Sequence, residues 1–362
     1  MTVYIIFIII LILLMSTYEI NQLRVNSIII NKPDNNISLI RRKFSISLNF
    51  AILLLILLSS LRYDVGWDYM AYYETIAFGR ITNIMLNQEY LTIFLINLAR
   101  NFNIPQIYFI INSIISICLI MSTIKRYSKD YWISFFLFVT FPLFFLNSLS
   151  VIRNYTAIAI TFYGFKYIEN KKLIRYILMV IIASLFHKSA IIALPFYFFK
   201  NINFKKSAYF LILMLAPLFS NILNQLILKF VPKYAVYTDL ASSQAGTKAI
   251  ILLVFIGIVS IIFKNQITSK SNASNMYFNS YFIGLCVYLT FYKQGTMGHR
   301  LSLYGTIYSL ILLPDIINLF KYKQIRIILK FLFYLLCIFM FFYTINIGQK
   351  AYIPYTLFYK SI

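Results

Sequence analysis

Long apolar runs recur along this chain, separated by short clusters of lysine and arginine. In lipid, a run of about twenty apolar residues can satisfy its backbone groups only as a helix. The pattern therefore predicts an all-α, polytopic integral membrane protein. Spans are expected near residues 3–20, 44–61, 104–124, 131–149, 154–169, 207–223, 248–264, 277–293, 300–319 and 331–347. Between 173 and 199 a further apolar stretch is broken by His187 and Lys188, which reads as one long helix or as a hairpin of two short arms.

The positive charges favour the hairpin. If the chain rises over 173–187 and returns over 188–199, the inside loops are 21–43, 125–130, 169–175, 200–206, 264–276 and 320–330. With Lys166, these hold 21 of the 33 basic residues, the bias expected of cytoplasmic loops. Both termini then lie outside, with about twelve membrane-inserted helices. One arm is re-entrant or sheltered by protein, because a twelve-residue α-helix spans only about 18 Å. The expected organisation is a single transmembrane domain over residues 1–362 with two long outer loops. Loop 62–103 carries an amphipathic helix near Ile84–Ala99, with Pro105 starting the next span. Loop 224–247 contains Pro232 and a flexible lid.

The net charge of +23 does not indicate nucleic-acid binding, because the basic residues sit between spans and not on one soluble face. The three cysteines all fall within apolar runs, so neither a disulfide framework nor a metal motif is indicated. The first run, Val3 to Tyr18, lacks a basic start and a small-residue cleavage site and reads as a retained helix.

One stretch stands apart. Arg62 to Tyr73 reads R-Y-D-V-G-W-D-Y-M-A-Y-Y and holds two of only ten acidic residues. Asp64 and Asp68 share a face if the segment is helical, while Gly66 permits a turn instead. As structural residues they would cap the next helix or pair with Arg62. As functional residues, one carboxylate orients or deprotonates a sugar hydroxyl, with Trp67, Tyr69, Tyr72 and Tyr73 stacking on the sugar's apolar face.

The expected topology carries further charged groups to the same mouth. Arg153, at a helix start, suits two phosphate oxygens, although it can also snorkel to headgroups. His187 in F-H-K-S-A is a proton acceptor or a phosphate donor, or simply caps the hairpin. Lys188 is a weaker candidate for binding. In G-T-M-G-H-R, Gly295 to Arg300, glycine-rich backbone before a helix can cradle an anion, with His299 and Arg300 beside it. Two histidines and two aspartates at these spacings do not make a zinc site.

In order and position, Gly66-Trp67-Asp68-Tyr69-Met70-Ala71-Tyr72, Val151-Ile152-Arg153, Phe186-His187-Lys188-Ser189-Ala190 and His299-Arg300 resemble the EpsG family of bacterial polysaccharide-biosynthesis proteins. The resemblance runs over essentially the whole chain. It implies a Wzy-like, GT-C-like polymerase of exopolysaccharide, capsule or O-antigen repeat units in the cytoplasmic membrane, with its site facing away from the cytoplasm. The family pattern falls on Gly66, Asp68, Tyr72, Arg153, Phe186, His187 and Arg300; Asp64 lies outside it.

The substrates implied are a growing glycan on undecaprenyl diphosphate and a second lipid-linked repeat unit. A chain-length regulator and a repeat-unit flippase are the implied partners. No cofactor is expected, because the donor is already activated. A ligase that moves finished polymer to another acceptor has nearly the same charge layout. A flippase, the non-enzyme alternative, would line a path through the bundle with charge.

Overall fold

The computed structural model describes residues 1–31, 36–79, 89–230, 247–292 and 296–358. The described residues are mostly helical. The chain opens with α1 (Thr2–Asn31) and α2 (Asn36–Ser60), then β1 (Arg62–Tyr63), α3 (Tyr69–Phe78), α4 (Tyr90–Asn101) and α5 (Gln106–Tyr127). The central group is α6 (Tyr131–Thr140), α7 (Phe145–Ser150), α8 (Ile152–Glu169) and α9 (Leu173–Phe186), followed by a 3-10 arm over Lys188–Asn201. Next come α10 (Lys206–Leu215), α11 (Phe219–Phe230), α12 (Thr247–Ile262), α13 (Lys264–Thr268) and α14 (Asn272–Thr290). The last elements are α15 (Thr296–Thr306), α16 (Ser309–Ile317), α17 (Lys323–Ile347), α18 (Gln349–Tyr352) and β2 (Thr356–Leu357).

Among the described residues, α5 and α17 are each long and apolar enough to cross a membrane, and Gly298–Thr306 with Ser309–Ile317, bent by 50°, is a third span if taken together. Most other expected spans are shorter or interrupted apolar helices. The run over 131–149 breaks after Thr140, at Phe141-Pro142, and resumes as α7. The run over 207–223 is interrupted by a single 3-10 turn at Ala216–Leu218, which contains Pro217. Proline cannot donate to the preceding turn, and its ring crowds the carbonyl there, so apolar runs of span length become broken segments. The amphipathic stretch is helical over Tyr90–Asn101 and Pro105 occupies the position before α5. Residues 80–88, and the lid expected within 224–247 from residue 231 to 246, lie outside the described residues.

The chain turns back at His187. Tyr176 on α9 donates to the carbonyl of Ala193 at 2.6 Å and stacks on Tyr197, so the two arms run antiparallel. The returning arm is wound as 3-10 and not as α. At about 2.0 Å per residue its 14 residues extend about 28 Å, well beyond the 18 Å of a short α-helix. Lys188–Phe199 nevertheless counts among the apolar helices shorter than a span.

Five of the expected inside loops meet at one end of the bundle. Arg126 pairs with Glu169 at 3.2 Å, Lys129 with Asp315 at 3.2 Å, and Lys330 with Asp130 at 2.5 Å. Lys264 donates to Asn203 at 2.5 Å, and Asn275 to the carbonyl of Ile202 at 3.1 Å. At the opposite end, Tyr4 donates to the carbonyl of Tyr352 at 3.1 Å, and β1 pairs antiparallel with β2. Tyr4 and the segment 351–357 therefore sit beside the Arg62–Tyr73 stretch. Helices α14 and α15 touch through glycine: a Cβ on Gly305 would lie 2.5 Å from Gly284 Cα. Small residues at a crossing let backbones approach where no hydrophobic drive separates helix from lipid.

Candidate active site

The Arg62–Tyr73 turn is built around a buried cation. Arg62 is 1% exposed and donates to the carbonyls of Ser59, Val65 and Leu149, with its guanidinium 5.3 Å from the Phe109 ring centroid. Its acceptors are these carbonyls and Ser59 Oγ at 3.3 Å, and no pairing with Asp64 or Asp68 is formed. Gly66 has φ +104° and donates to the carbonyl of Ala351 at 2.8 Å. A Cβ there would come within 2.2 Å of the Leu149 carbonyl oxygen, so only glycine fits between the carboxy-terminal segment and the α7–α8 link. The Trp67 amide donates to Ser150 Oγ at 3.1 Å.

This wedge delivers Asp68 to the residue before α3, where its side chain makes no capping bond. Instead, its carboxylate faces Arg300 on α15, with 3.8 Å between Oδ2 and Nη2. Burial pushes the Asp68 carboxyl above the ordinary carboxylate range, and Arg300 and then Arg153 pull it part of the way back. The pair is half-exposed and too long for a hydrogen bond, so it leaves both groups open to a ligand.

Behind it stands a tighter assembly that the sequence did not reveal. Glu89, 1% exposed and just before α4, forms a short ion pair through Oε2 with Arg153 Nη1. Its other oxygen, Oε1, lies 2.8 Å from His187 Nδ1 and 3.5 Å from the amide of Lys188. Arg153 Nε donates to the Tyr72 hydroxyl at 2.6 Å, and Tyr72 stacks on Tyr108 at 5.0 Å. Burial alone would raise the Glu89 carboxyl. The hydrogen bond from His187 and the charge of Arg153 outweigh it and hold the group below its ordinary value.

Asn154, the residue after Arg153, joins three elements. Its Oδ1 accepts from Tyr304 at 2.9 Å and from Ser189 at 3.3 Å, and its amide donates to the Arg300 carbonyl at 3.4 Å. Helix α8, the 3-10 arm and α15 are thereby fixed relative to one another.

The remaining expected residues divide. Trp67 is 64% exposed and presents an open ring. Tyr69 is fully buried, stacks on Phe109 at 4.2 Å and donates to Gln106, so its ring is occupied by the core. Tyr73 packs edge-on against Tyr63 at 5.5 Å. Asp64 is exposed on left-handed backbone, φ 50°, and Lys188 is exposed. The His299 ring lies 6.0 Å from Tyr288, and no contact among the described residues joins it to Asp68, Arg153 or His187. Helix α15 begins at Thr296, so His299 and Arg300 stand on its first turns, and Gly295 of the expected cradle lies outside the described residues.

Among the described residues no three His, Cys, Asp or Glu side chains gather as metal ligands. What does gather is two arginines, two carboxylates and a histidine from separate stretches of chain. A model of the EpsG family matches residues 45–357. The chain belongs to the EpsG family. Every side chain of the assembly lies inside that match, and membership makes this a membrane protein of polysaccharide biosynthesis. No curated protein and no solved structure matches it.

Proposed function

We propose that this EpsG-family protein polymerises undecaprenyl-diphosphate-linked oligosaccharide repeat units at the outer face of the cytoplasmic membrane. The observation that carries the reading is the open Asp68–Arg300 pair standing in front of the Arg153–Glu89–His187 assembly. A carboxylate beside fixed cations is what glycosyl transfer from a diphosphate requires. A hydroxyl of one repeat unit attacks the anomeric carbon of the other unit's chain, and the diphosphate departs with the bonding electrons.

Charge grows on the diphosphate oxygen as the bond breaks, and preorganised cations lower the barrier most at that point. Arg300 is the more available cation, held only at 3.8 Å by Asp68. Arg153 is largely matched by Glu89, but no partner among the described residues takes its Nη2, which leaves one donor for a phosphate oxygen. Asp68 orients the incoming hydroxyl, and Trp67 offers a face for a sugar ring. The hydroxyl's proton leaves to Asp68 or to His187, the two acceptors at this mouth. The gathering of five inside loops at the far end of the bundle supports placing this mouth away from the cytoplasm.

The test is glycan chain length in cells carrying D68N, R153Q, H187Q or R300Q at equal membrane abundance. Single repeat units on the lipid carrier support polymerisation. Full-length polymer that stays on the carrier indicates a ligase, and normal ladders in all four variants sink the assignment.

A further inference from the structure

We infer that Glu89 is a positioning residue that fixes His187 in the tautomer protonated at Nδ1, making Nε2 of His187 the proton acceptor of the transfer. This deepens the polymerase reading and rests on it. The geometry sets the tautomer. Both Glu89 oxygens are engaged by donors: Oε2 by Arg153 Nη1, and Oε1 by the Lys188 amide at 3.5 Å and His187 Nδ1 at 2.8 Å. A carboxylate held ionised by an arginine can only accept, so the hydrogen in the contact to His187 belongs to Nδ1. In a neutral imidazole the lone pair is then on Nε2.

That nitrogen has no protein partner among the described residues, and the His187 side chain is 20% exposed. His187 stands at the hairpin turn, which is pinned where Thr92 donates to the Phe186 carbonyl at 2.9 Å. The ring is thus held at its neighbour, at its Nδ1 and at its backbone, while the reactive side stays open. Orientation of a base by a buried carboxylate is a recurring way to prepare an imidazole for proton transfer.

In the step itself, the hydroxyl oxygen forms the new bond to the anomeric carbon while its proton passes to Nε2. The bond from carbon to the diphosphate oxygen breaks, and its electron pair leaves with the diphosphate. The imidazolium formed lies beside Glu89, whose charge offsets it, and it returns the proton to the departing phosphate or to water. Asp68 is left to orient the acceptor.

The chain has only two histidines, which makes the tautomer directly measurable. The full-length protein, labelled with 15N-histidine in lipid nanodiscs, is read at a pH where imidazole is neutral, and His187 is assigned by the signals lost in H187Q. The expected result is protonated Nδ1 and bare Nε2 in the wild type, with E89Q shifting the balance toward the other tautomer. With lipid-linked repeat units as substrate, E89Q is expected to lower kcat by about 100-fold while KM stays within about threefold.

A wild-type His187 protonated at Nε2 overturns the inference without need of any variant, so a poorly folding E89Q does not shield it. So does an E89Q protein with unchanged kcat. If the wild type makes no polymer at all, the polymerase reading fails, and the tautomer still decides the role of Glu89 separately.

Discussion

Replacing Asp68 by asparagine separates a functional pair from a structural one. At 3.8 Å, two unit charges in a water-like medium attract by about 1 kcal/mol before salt screening. Exposed pairs measured by mutant cycles give about 0.2–1 kcal/mol, and these side chains are 38% and 33% exposed. Burial also raises the Asp68 carboxyl, so ionising it costs the fold something. Its linkage contribution is present below the unfolded value and lost as pH rises through the folded one. Asparagine removes that cost at neutral pH, and the expected change in stability is under about 1 kcal/mol. Activity should behave differently. Loss of the group that orients the acceptor is expected to cost about 100-fold or more, near 2.7 kcal/mol of barrier. The assay pairs thermal unfolding of purified D68N in detergent with turnover of lipid-linked repeat units. An active, strongly destabilised variant would show that Asp68 holds the fold together and would refute the reasoning.

Four further outcomes follow from the same contacts. G66A combines left-handed strain of about 1–3 kcal/mol with a backbone collision, and membrane abundance measured by immunoblot should drop sharply. R62M leaves the carbonyls of Ser59, Val65 and Leu149 without their buried donor and is expected to cost about 3 kcal/mol or more, read as a lower unfolding temperature. Y69F should retain polymerisation within about twofold, because it loses one buried hydrogen bond and no substrate contact. W67A, which removes the exposed ring, should raise KM.

Much of the candidate site is legible in the sequence because lipid makes charge costly. An arginine at a span end, a histidine that breaks an apolar run and an aspartate beside glycine each stand out against their surroundings, and Arg153, His187 and Asp68 do assemble at one end. The turn at His187 follows from the distribution of lysines and arginines. Glu89 was hidden because it borders a stretch that reads as an amphipathic surface helix. The available signal was scarcity: with ten acidic residues in the chain, an acid next to an apolar run and far from any basic loop needs a partner.

Aromatic composition was a weaker guide. Tyr69 and Tyr72 look alike in sequence, yet both turn inward on α3, one to the core and one to brace Arg153. The winding of the returning arm depends on packing against α9 and α14, which no local pattern reports. The same is true of the start of α15, where Gly298 lies against the backbone of Phe291.

The most direct test of the account is polymerisation by the purified protein in lipid vesicles supplied only with lipid-linked repeat units. The account predicts a ladder at multiples of the repeat for the wild type and single units for R300Q. A wild type that leaves every unit unjoined, while remaining folded and substrate-bound, would contradict it.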